Sequence, residues 1–174
     1  MIESFPTPNT IAEQAGAMKT MKAGGLKIVG DPSKQRNATD IASGAQPIMQ
    51  GLLARYPNLK GMFVYNDDSA LGAISAIRAA GKRGKIVVVS RNGEDPAIAA
   101  IKAGDLLATC DINPIELGED TGTAIVKQLT GKAHYKNNFT LPSPDASKCL
   151  VTKANVNSYV SWSKRIHYVK IAER

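Results

Sequence analysis

Six polar or aromatic side chains of this sequence stand where they could bind a small hydrophilic molecule. They lie at or just after the ends of three apolar runs and are Tyr65, Asn66, Asp67, Arg91, Asn92 and Asp111. Amide and carboxylate groups can each hydrogen-bond two neighbouring hydroxyls. If the three runs are parallel strands, these groups meet at the carboxyl edge of one sheet, where open α/β sheets bind their ligands. The spacing therefore predicts a binding site for a polyhydroxylated small molecule.

Several of the same residues also have a purely structural interpretation. Asp and Asn often cap the helix that follows a strand, because a side-chain oxygen can accept hydrogen bonds from unpaired backbone N–H groups. Capping is the favoured interpretation of Asp67, Asp68 and Asp95, whereas Asn66 and Asn92 fit capping and ligand binding about equally well. Tyr65 could offer its ring to a sugar, but packing in the strand core is favoured.

Four apolar runs rich in β-branched residues are predicted to be the strands that position this edge. They are Leu26–Gly30, Leu59–Tyr65, Lys85–Ser90 and Leu106–Ile112. The third run contains three consecutive valines, which is typical of a strand buried on both faces of a parallel sheet.

Helical segments alternate with these runs. A capping-box pattern at Thr10–Glu13 opens the first helix and Gly24 ends it. The second helix, over 38–56, contains Pro47, so we expect it to be most regular from that proline onward. The last helix covers 114–130. Strict alternation predicts an α/β fold, with a parallel sheet flanked by helices on both faces.

Sequence motifs for catalysis, cofactors and metals are absent. There is no glycine-rich nucleotide loop, no G-x-S-x-G elbow and no H-E-x-x-H motif. The two histidines, His134 and His167, are too far apart in the sequence to form a local metal-binding pair. The sequence therefore predicts a non-enzymatic protein with no cofactor and no metal.

The formal net charge of +7 is concentrated near the end of the chain. Residues 147–174 carry six basic side chains and one acidic side chain. Nucleic-acid binding needs a basic cluster on a known docking element, and no helix-turn-helix, zinc-finger or aromatic RNA-binding pattern is present. We therefore expect no nucleic-acid partner for this chain, and a basic tail that is solvated or docks to another partner.

Cys110 and Cys149 are the two cysteines of the sequence, too few for the disulfide framework of a small secreted domain. Both have apolar neighbours, which favours two separate buried thiols. A single bridge and a reactive thiol are the alternatives.

The segment Tyr65–Gly72 resembles a motif of a known protein family. It reads Tyr-Asn-Asp-Asp-Ser-Ala-Leu-Gly, which is similar to the Asn-Asp-x-x-Ala-x-Gly segment of type I periplasmic sugar-binding proteins. These form the ribose- and galactose-binding group, to which LacI-type repressors are related. The resemblance continues in the family's order and spacing over residues 53–63, 79–82, 100–104, 108–109, 114–118 and 151–156.

The resemblance implies the C-terminal lobe of a protein whose two lobes close over a sugar. The expected division is a C-terminal-lobe α/β domain at residues 1–112, a hinge return with a helix of N-terminal-lobe type at 113–146, and a basic tail at 147–174. About half of the usual family protein, its N-terminal lobe, has no counterpart in this sequence.

The function implied by the resemblance is non-catalytic binding of a sugar or polyol for an ABC importer. The permease would be a partner in the full-length context, and the location would be periplasmic or extracellular. Residues 1–10 contain no apolar run of the kind found in a secretory signal. The alternative is the effector-binding lobe of a LacI-type transcriptional regulator. The Val-Thr-Lys sequence at 151–153 favours transport.

Two residues of the predicted site match ligand positions of the family. Asn66 corresponds to its sugar-binding asparagine, and Asn92 stands where the family has the aspartate of a Gly-Phe-Asp triplet. An amide still donates and accepts hydrogen bonds, but it lacks the charge-assisted bond of an acid. The family's hinge glutamine corresponds to Ile112, next to Asp111. The resemblance thus implies a sugar site with altered contacts.

The predicted helix at 114–130 has an apolar set of side chains that must pack against something. Its members are Ile115, Leu117, Ile125, Val126 and Leu129. By the resemblance this helix would pack on the other lobe, and large exposed apolar patches are rare in monomers. We therefore predict self-association through the 114–130 helix, for example as a domain-swapped dimer.

Overall fold

The structure is a computed structural model that describes residues 1–135 and 149–165. Across these residues the helices are α1 (Pro8–Ala23), α2 (Ala42–Arg55), α3 (Asp67–Ala79), α4 (Asp95–Ala103), α5 (Pro114–Leu129) and α6 (Trp162–Arg165). The strands are β1 (Gly61–Phe63), β2 (Val87–Asn92), β3 (Ala108–Asp111) and β4 (Leu150–Thr152). A 3-10 turn spans Pro32–Lys34. His167 and much of the basic tail lie outside the described residues.

The strands form one sheet in the order β1-β2-β3-β4. β1, β2 and β3 run parallel, and β4 pairs antiparallel with β3. Next to β1, Ile2 makes an isolated parallel bridge to Val64. The α/β fold with a mostly parallel sheet is confirmed.

The predicted strand at Leu26–Gly30 is wrong, and so is the expectation that all four strands are parallel. These residues have no regular structure, and Leu26 is 61% exposed. The place beside the first strand is taken by Ile2, whose N–H donates to Phe63 and whose C=O accepts from Tyr65. The fourth strand comes instead from residues 150–152, and it joins the opposite edge of the sheet.

Helices lie on both sides of β2. Ser90 donates a hydrogen bond to Asp67 of α3, and the next residue, Arg91, pairs with Glu13 of α1. Because successive side chains of a strand point to opposite faces, α3 and α1 contact opposite sides of the sheet. The hydrophobic core lies on the α3 side, where α2, α3 and α4 pack together.

The helix boundaries mostly follow the sequence signals. α1 begins one turn earlier than predicted, because its capping box is formed by Thr7 and Thr10. Its end at Gly24 is confirmed. α2 begins at Ala42 and continues through Pro47 as one helix. α5 begins at Pro114, as predicted.

A disulfide joins Cys110 of β3 to Cys149, directly before β4. The Cα atoms are 4.8 Å apart, and the backbone N–H of Asp111 donates to the Cys149 carbonyl over 2.8 Å. The favoured prediction of two separate thiols is therefore wrong. It failed because the two residues are 39 positions apart in the sequence and meet only through the antiparallel β3–β4 pairing.

Candidate functional site

Tyr65 and Asn66 lie at the carboxyl end of β1 and are both buried. The Asn66 side-chain oxygen accepts from the Ser69 N–H over 2.8 Å, so Asn66 is the N-cap of α3. Its side-chain nitrogen donates to the Tyr65 hydroxyl over 2.6 Å and to the Asp40 carbonyl over 3.0 Å. The Tyr65 ring is buried but follows the end of β1, and burial raises the pKa of its hydroxyl. The amide of Asn66 is thus oriented by three bonds inside the protein.

Asp67 is fully buried, and the prediction that it caps α3 is wrong because Asn66 holds that position. One carboxylate oxygen accepts from the hydroxyls of Ser90 and Thr109, the latter over 2.7 Å. The other oxygen accepts from the backbone N–H groups of Gly93 and Glu94 over 2.8 and 2.9 Å. Burial raises the pKa of Asp67, although these four donors act in the opposite direction. Asp67 therefore positions the loop after β2 through hydrogen bonds to its backbone.

Arg91 connects the end of β2 with α1 and with Tyr65. Its Nε lies 2.8 and 2.9 Å from the two carboxylate oxygens of Glu13, and its guanidinium lies over the Tyr65 ring, 5.8 Å from the centroid. Burial raises the pKa of Glu13, and the positive charge of Arg91 opposes that shift. The charge of Arg91 is therefore balanced within the chain.

Asn92 ends β2 with an unusual backbone. Its φ of 130° lies in a region that L-residues rarely adopt, and such strain is concentrated at functional sites. Its amide nitrogen donates to Glu94 over 2.7 Å and its amide oxygen accepts from Arg91 over 3.2 Å. Across the β2–β3 pairing its partner is Asp111. Asn92 thus contacts Arg91, its neighbour along β2, and lies beside Asp111, its partner on β3.

Asp111 is surrounded by donors, two of which come from α6. One oxygen accepts from the Trp162 indole N–H over 2.8 Å and from the Asn113 N–H over 2.7 Å. The other oxygen accepts from Arg165 over 2.6 Å. Burial alone would raise the pKa of Asp111, but these hydrogen bonds outweigh it, and the pKa lies below its ordinary value.

Asp95, for which capping was the favoured prediction, does not cap α4. Glu94 stands at the N-cap, and the Asp95 carboxylate instead accepts from the Ser163 hydroxyl over 2.6 Å. This contact is another link between the end of the described chain and the loop after β2.

Sequence reasoning missed the residues that come from far along the chain or from its start. Tyr159, Trp162 and Arg165 belong to a segment interpreted as a basic tail, although a single tryptophan in a polar stretch is a signal of a specific contact. Glu3 was also missed. It is 1% exposed, and its Oε1 has no hydrogen-bond partner among the described residues. Burial and the neighbouring charge of Glu13 raise the pKa of Glu3 to about 7.

The structure thus brings the predicted site residues to one edge of the sheet. Tyr65, Asn66, Arg91 and Asn92 are linked by direct contacts, and Asp111 is the cross-strand neighbour of Asn92. Within residues 1–135 and 149–165, no group of three or more His, Cys, Asp and Glu side chains could hold a metal ion. In the same ranges, no helix has the length and apolar character needed to span a membrane.

Known proteins resemble this chain in sequence and in structure. A D-ribose/D-allose-binding protein of Pseudomonas aeruginosa is 37% identical over 105 residues, covering 60% of this chain and 32% of that protein. A ribose import binding protein of Bacillus subtilis is 30% identical over 135 residues, covering 78% and 42%. The solved structure of a Caulobacter myo-inositol binding protein bound to myo-inositol matches with a TM-score of 0.75 and 27% identity, covering 90% of this chain and 52% of that one.

The extent of these matches places the chain in a family. It spans about a third to two fifths of the length of these two sequence relatives and about half of that solved structure. A family model described as a periplasmic binding protein domain matches residues 1–133. This match includes α1 to α5 and all six predicted site residues. The chain therefore belongs to the periplasmic binding protein domain family.

Proposed function

We propose that this chain binds a small sugar or polyol at the carboxyl ends of β1, β2 and β3, without catalysis. The observation that carries the proposal is the cross-strand pair of Asn92 and Asp111, with Arg91 and Asn66 on the same edge. Amides, a carboxylate and a guanidinium in one row offer both donors and acceptors to neighbouring hydroxyls. The named ligands of the relatives, ribose, allose and myo-inositol, support the same class.

The charges of the site favour a neutral ligand. Arg91 is paired with Glu13, and Asp111 with Arg165, at 2.8 and 2.6 Å. A charged ligand would have to separate one of these half-buried pairs, and leaving a buried charge unpaired is costly. Hydroxyl groups can instead form hydrogen bonds with the oxygen lone pairs and N–H groups that these two ion pairs do not use. A neutral polyol is therefore the ligand that this arrangement supports best.

The proposed function also implies a partner protein and a cellular location. We propose that the chain acts as the C-terminal lobe of a substrate-binding protein, with an ABC permease as partner, on the periplasmic or outer side of the membrane. The Cys110–Cys149 disulfide supports such an oxidising compartment. The two sequence relatives and the solved structure described above are binding proteins, which favours an importer component over a LacI-type regulator.

Calorimetric titration of the chain with ribose, allose and myo-inositol tests the proposal. We expect at least one sugar to bind, and the variant Asn92→Gly to weaken that binding about tenfold, the loss of a hydrogen bond or two. Glycine removes the side chain but tolerates the backbone conformation of residue 92. The matched control is Asn157→Gly at an exposed position. A flat titration with all three sugars contradicts the proposal.

Self-association through α5 is a second part of the proposal. Leu117, Ile125, Val126 and Leu129 are 55–81% exposed on this helix. An apolar set of this size is rarely left to solvent. We expect light scattering to give the mass of two chains at high concentration, and Leu129→Ser to shift the mass towards one chain. Lys127→Ser, at an exposed polar position of the same helix, is the control. A single-chain mass for the unmodified protein contradicts this part.

A further inference from the structure

The C-terminal segment, residues 159–165, is fixed to the edge of the sheet by directed contacts. Its side chains donate hydrogen bonds to three residues at this edge. Tyr159 donates to the Gly93 carbonyl over 3.0 Å, and Ser163 donates to Asp95 over 2.6 Å. Trp162 and Arg165 donate to Asp111 over 2.8 and 2.6 Å. The Arg165 guanidinium also lies 5.5 Å from the centroid of the Tyr159 ring. Several such bonds in so short a segment give it a defined place on the β3 side of the edge.

This place is next to Asn92. Asn92 and Asp111 are direct partners in the β2–β3 pairing, and neighbouring strands lie about 4.8 Å apart. Tyr159 holds the backbone of Gly93, the residue that follows Asn92. A sugar that contacts the Asn92 side chain would therefore meet side chains bound to Asp111 one strand further along.

The two side chains that bind Asp111 have the chemistry of sugar recognition. Trp162 is half-buried, and an indole ring can pack against the C–H face of a sugar. The Arg165 side chain is 26% exposed and carries five N–H donors. Nε is itself buried, but the four N–H groups on Nη1 and Nη2 make three hydrogen bonds, to Asp111, Asn113 and Tyr159. The guanidinium thus has donor capacity that Asp111, Asn113 and Tyr159 do not use.

We infer that the C-terminal segment forms one wall of the proposed sugar site, with Trp162 and Arg165 in contact with the bound sugar. The inference rests on the proposed function and adds two ligand-contacting residues to it. The sugar would lie between Asn92 and the indole ring, and Arg165 would donate to its oxygens while remaining paired with Asp111.

Trp162 reports on this inference directly, because it is the only tryptophan of the sequence. Titrating the chain with ribose, allose or myo-inositol, we expect the tryptophan emission to change with the same midpoint as the calorimetric signal. The bound sugar should also protect the indole from quenching by acrylamide. Where calorimetry detects binding but neither emission nor quenching changes, the inference is overturned while the proposed function stands. Where no sugar binds, the proposed function itself fails.

A pair of variants provides an independent readout. Arg165→Met removes the donors and keeps an unbranched apolar stem, and we expect it to weaken sugar binding about tenfold. Lys164→Met, at the exposed neighbouring position of the same helix, should bind as the unmodified chain does. Unchanged or tighter binding in Arg165→Met would mean that the segment is a bystander or a competitor of the sugar, and either result overturns the inference. If Arg165→Met does not fold, the tryptophan readout on the unmodified chain decides.

Discussion

The central helix α3 and the flanking helices α1 and α5 differ sharply in how they are packed. Within the part of the chain that the structure describes, α3 buries eight of its 13 residues, whereas α1 and α5 bury one each of their 16. All three were recognisable as helices from sequence, so helix formation and packing are separate properties here. Tertiary packing rather than propensity provides most of the stability of a helix. The contacts that stabilise α3 are therefore within the hydrophobic core, whereas α1 and α5 bury little of their surface against the described chain.

The largest effect on stability is expected at Asp67, in the packed region. Asp67→Ala removes the acceptor of four hydrogen bonds. The Ser90 and Thr109 hydroxyls and the Glu94 N–H lose their acceptor, and the Gly93 N–H keeps only its 3.2 Å bond to the Thr109 hydroxyl. Since each buried unpaired group costs about 1–3 kcal/mol, we expect a loss of ~4 kcal/mol in the free energy of unfolding, measured in urea.

The neighbouring Asp68 is the control for that measurement. It lies in the first turn of α3 but is partly exposed, so Asp68→Ala should cost less than about 1 kcal/mol. Equal losses in the two variants would show that the network around Asp67 adds nothing specific to stability.

The next effect concerns the β3–β4 edge of the sheet. The double variant Cys110→Ser, Cys149→Ser opens a loop of 39 residues, and we expect it to cost ~3 kcal/mol. Because β4 leads into the C-terminal segment, the emission of Trp162 should shift towards that of an exposed indole. Reduction of the unmodified chain should reproduce both changes. An unaltered urea midpoint in the double variant would contradict the idea that the bridge holds this edge.

Two glycines on helices of the two regions provide a direct test of the contrast in packing. A methyl group at residue 72 of α3 would overlap the backbone carbonyl of Ala42 in α2, whereas one at residue 122 of α5 would meet nothing within 4 Å. We expect Gly72→Ala to cost ~2 kcal/mol and Gly122→Ala to stabilise by ~0.5–1 kcal/mol through its higher helix propensity. Thermal unfolding of both variants gives the comparison. Gains in both would mean that α2 and α3 are not in close contact.

The fold was predictable wherever the information is local. β1, β2 and β3 each overlap a predicted apolar run, and α3 and α5 carry their own start signals, so their approximate bounds follow from sequence. The expected burial of the three-valine strand on both faces is wrong, because Val87 is 51% exposed. Leu26–Gly30 has the same apolar character but is not a strand, because Ile2 already pairs beside β1. Competition between two segments for one sheet edge is a property of the whole fold, and no local pattern contains it.

The position of the site residues was predictable from sequence, but their hydrogen-bond partners were not. Asn66, Asn92 and Asp111 were placed at the carboxyl edge because strands of one direction end together. Two partners of Asp111, Trp162 and Arg165, come from about 50 residues further along the chain, through an antiparallel strand and a disulfide that the sequence pattern does not show. Charge counting described Arg165 as one member of a basic tail, whereas its guanidinium is held by a specific carboxylate.

The smallest expected effect is a dependence on pH that distinguishes a buried acid beside β1 from an exposed one on α5. The pKa of Glu3 is raised by burial from 4.5 to about 7 in the folded chain. Between these values the folded state holds a proton that the unfolded state has lost, so the free energy of unfolding falls as the pH rises through this window. Glu3→Gln removes the ionisation, and we expect it to be about 1 kcal/mol more stable than the unmodified chain at pH 8, with little difference at pH 4.5.

Glu119→Gln, exposed on α5, should keep the pH profile of the unmodified chain. Urea unfolding between pH 4.5 and 8 measures all three proteins. Parallel profiles for Glu3→Gln and the unmodified chain would show that Glu3 is solvated, and that the region beside β1 is as open as α5.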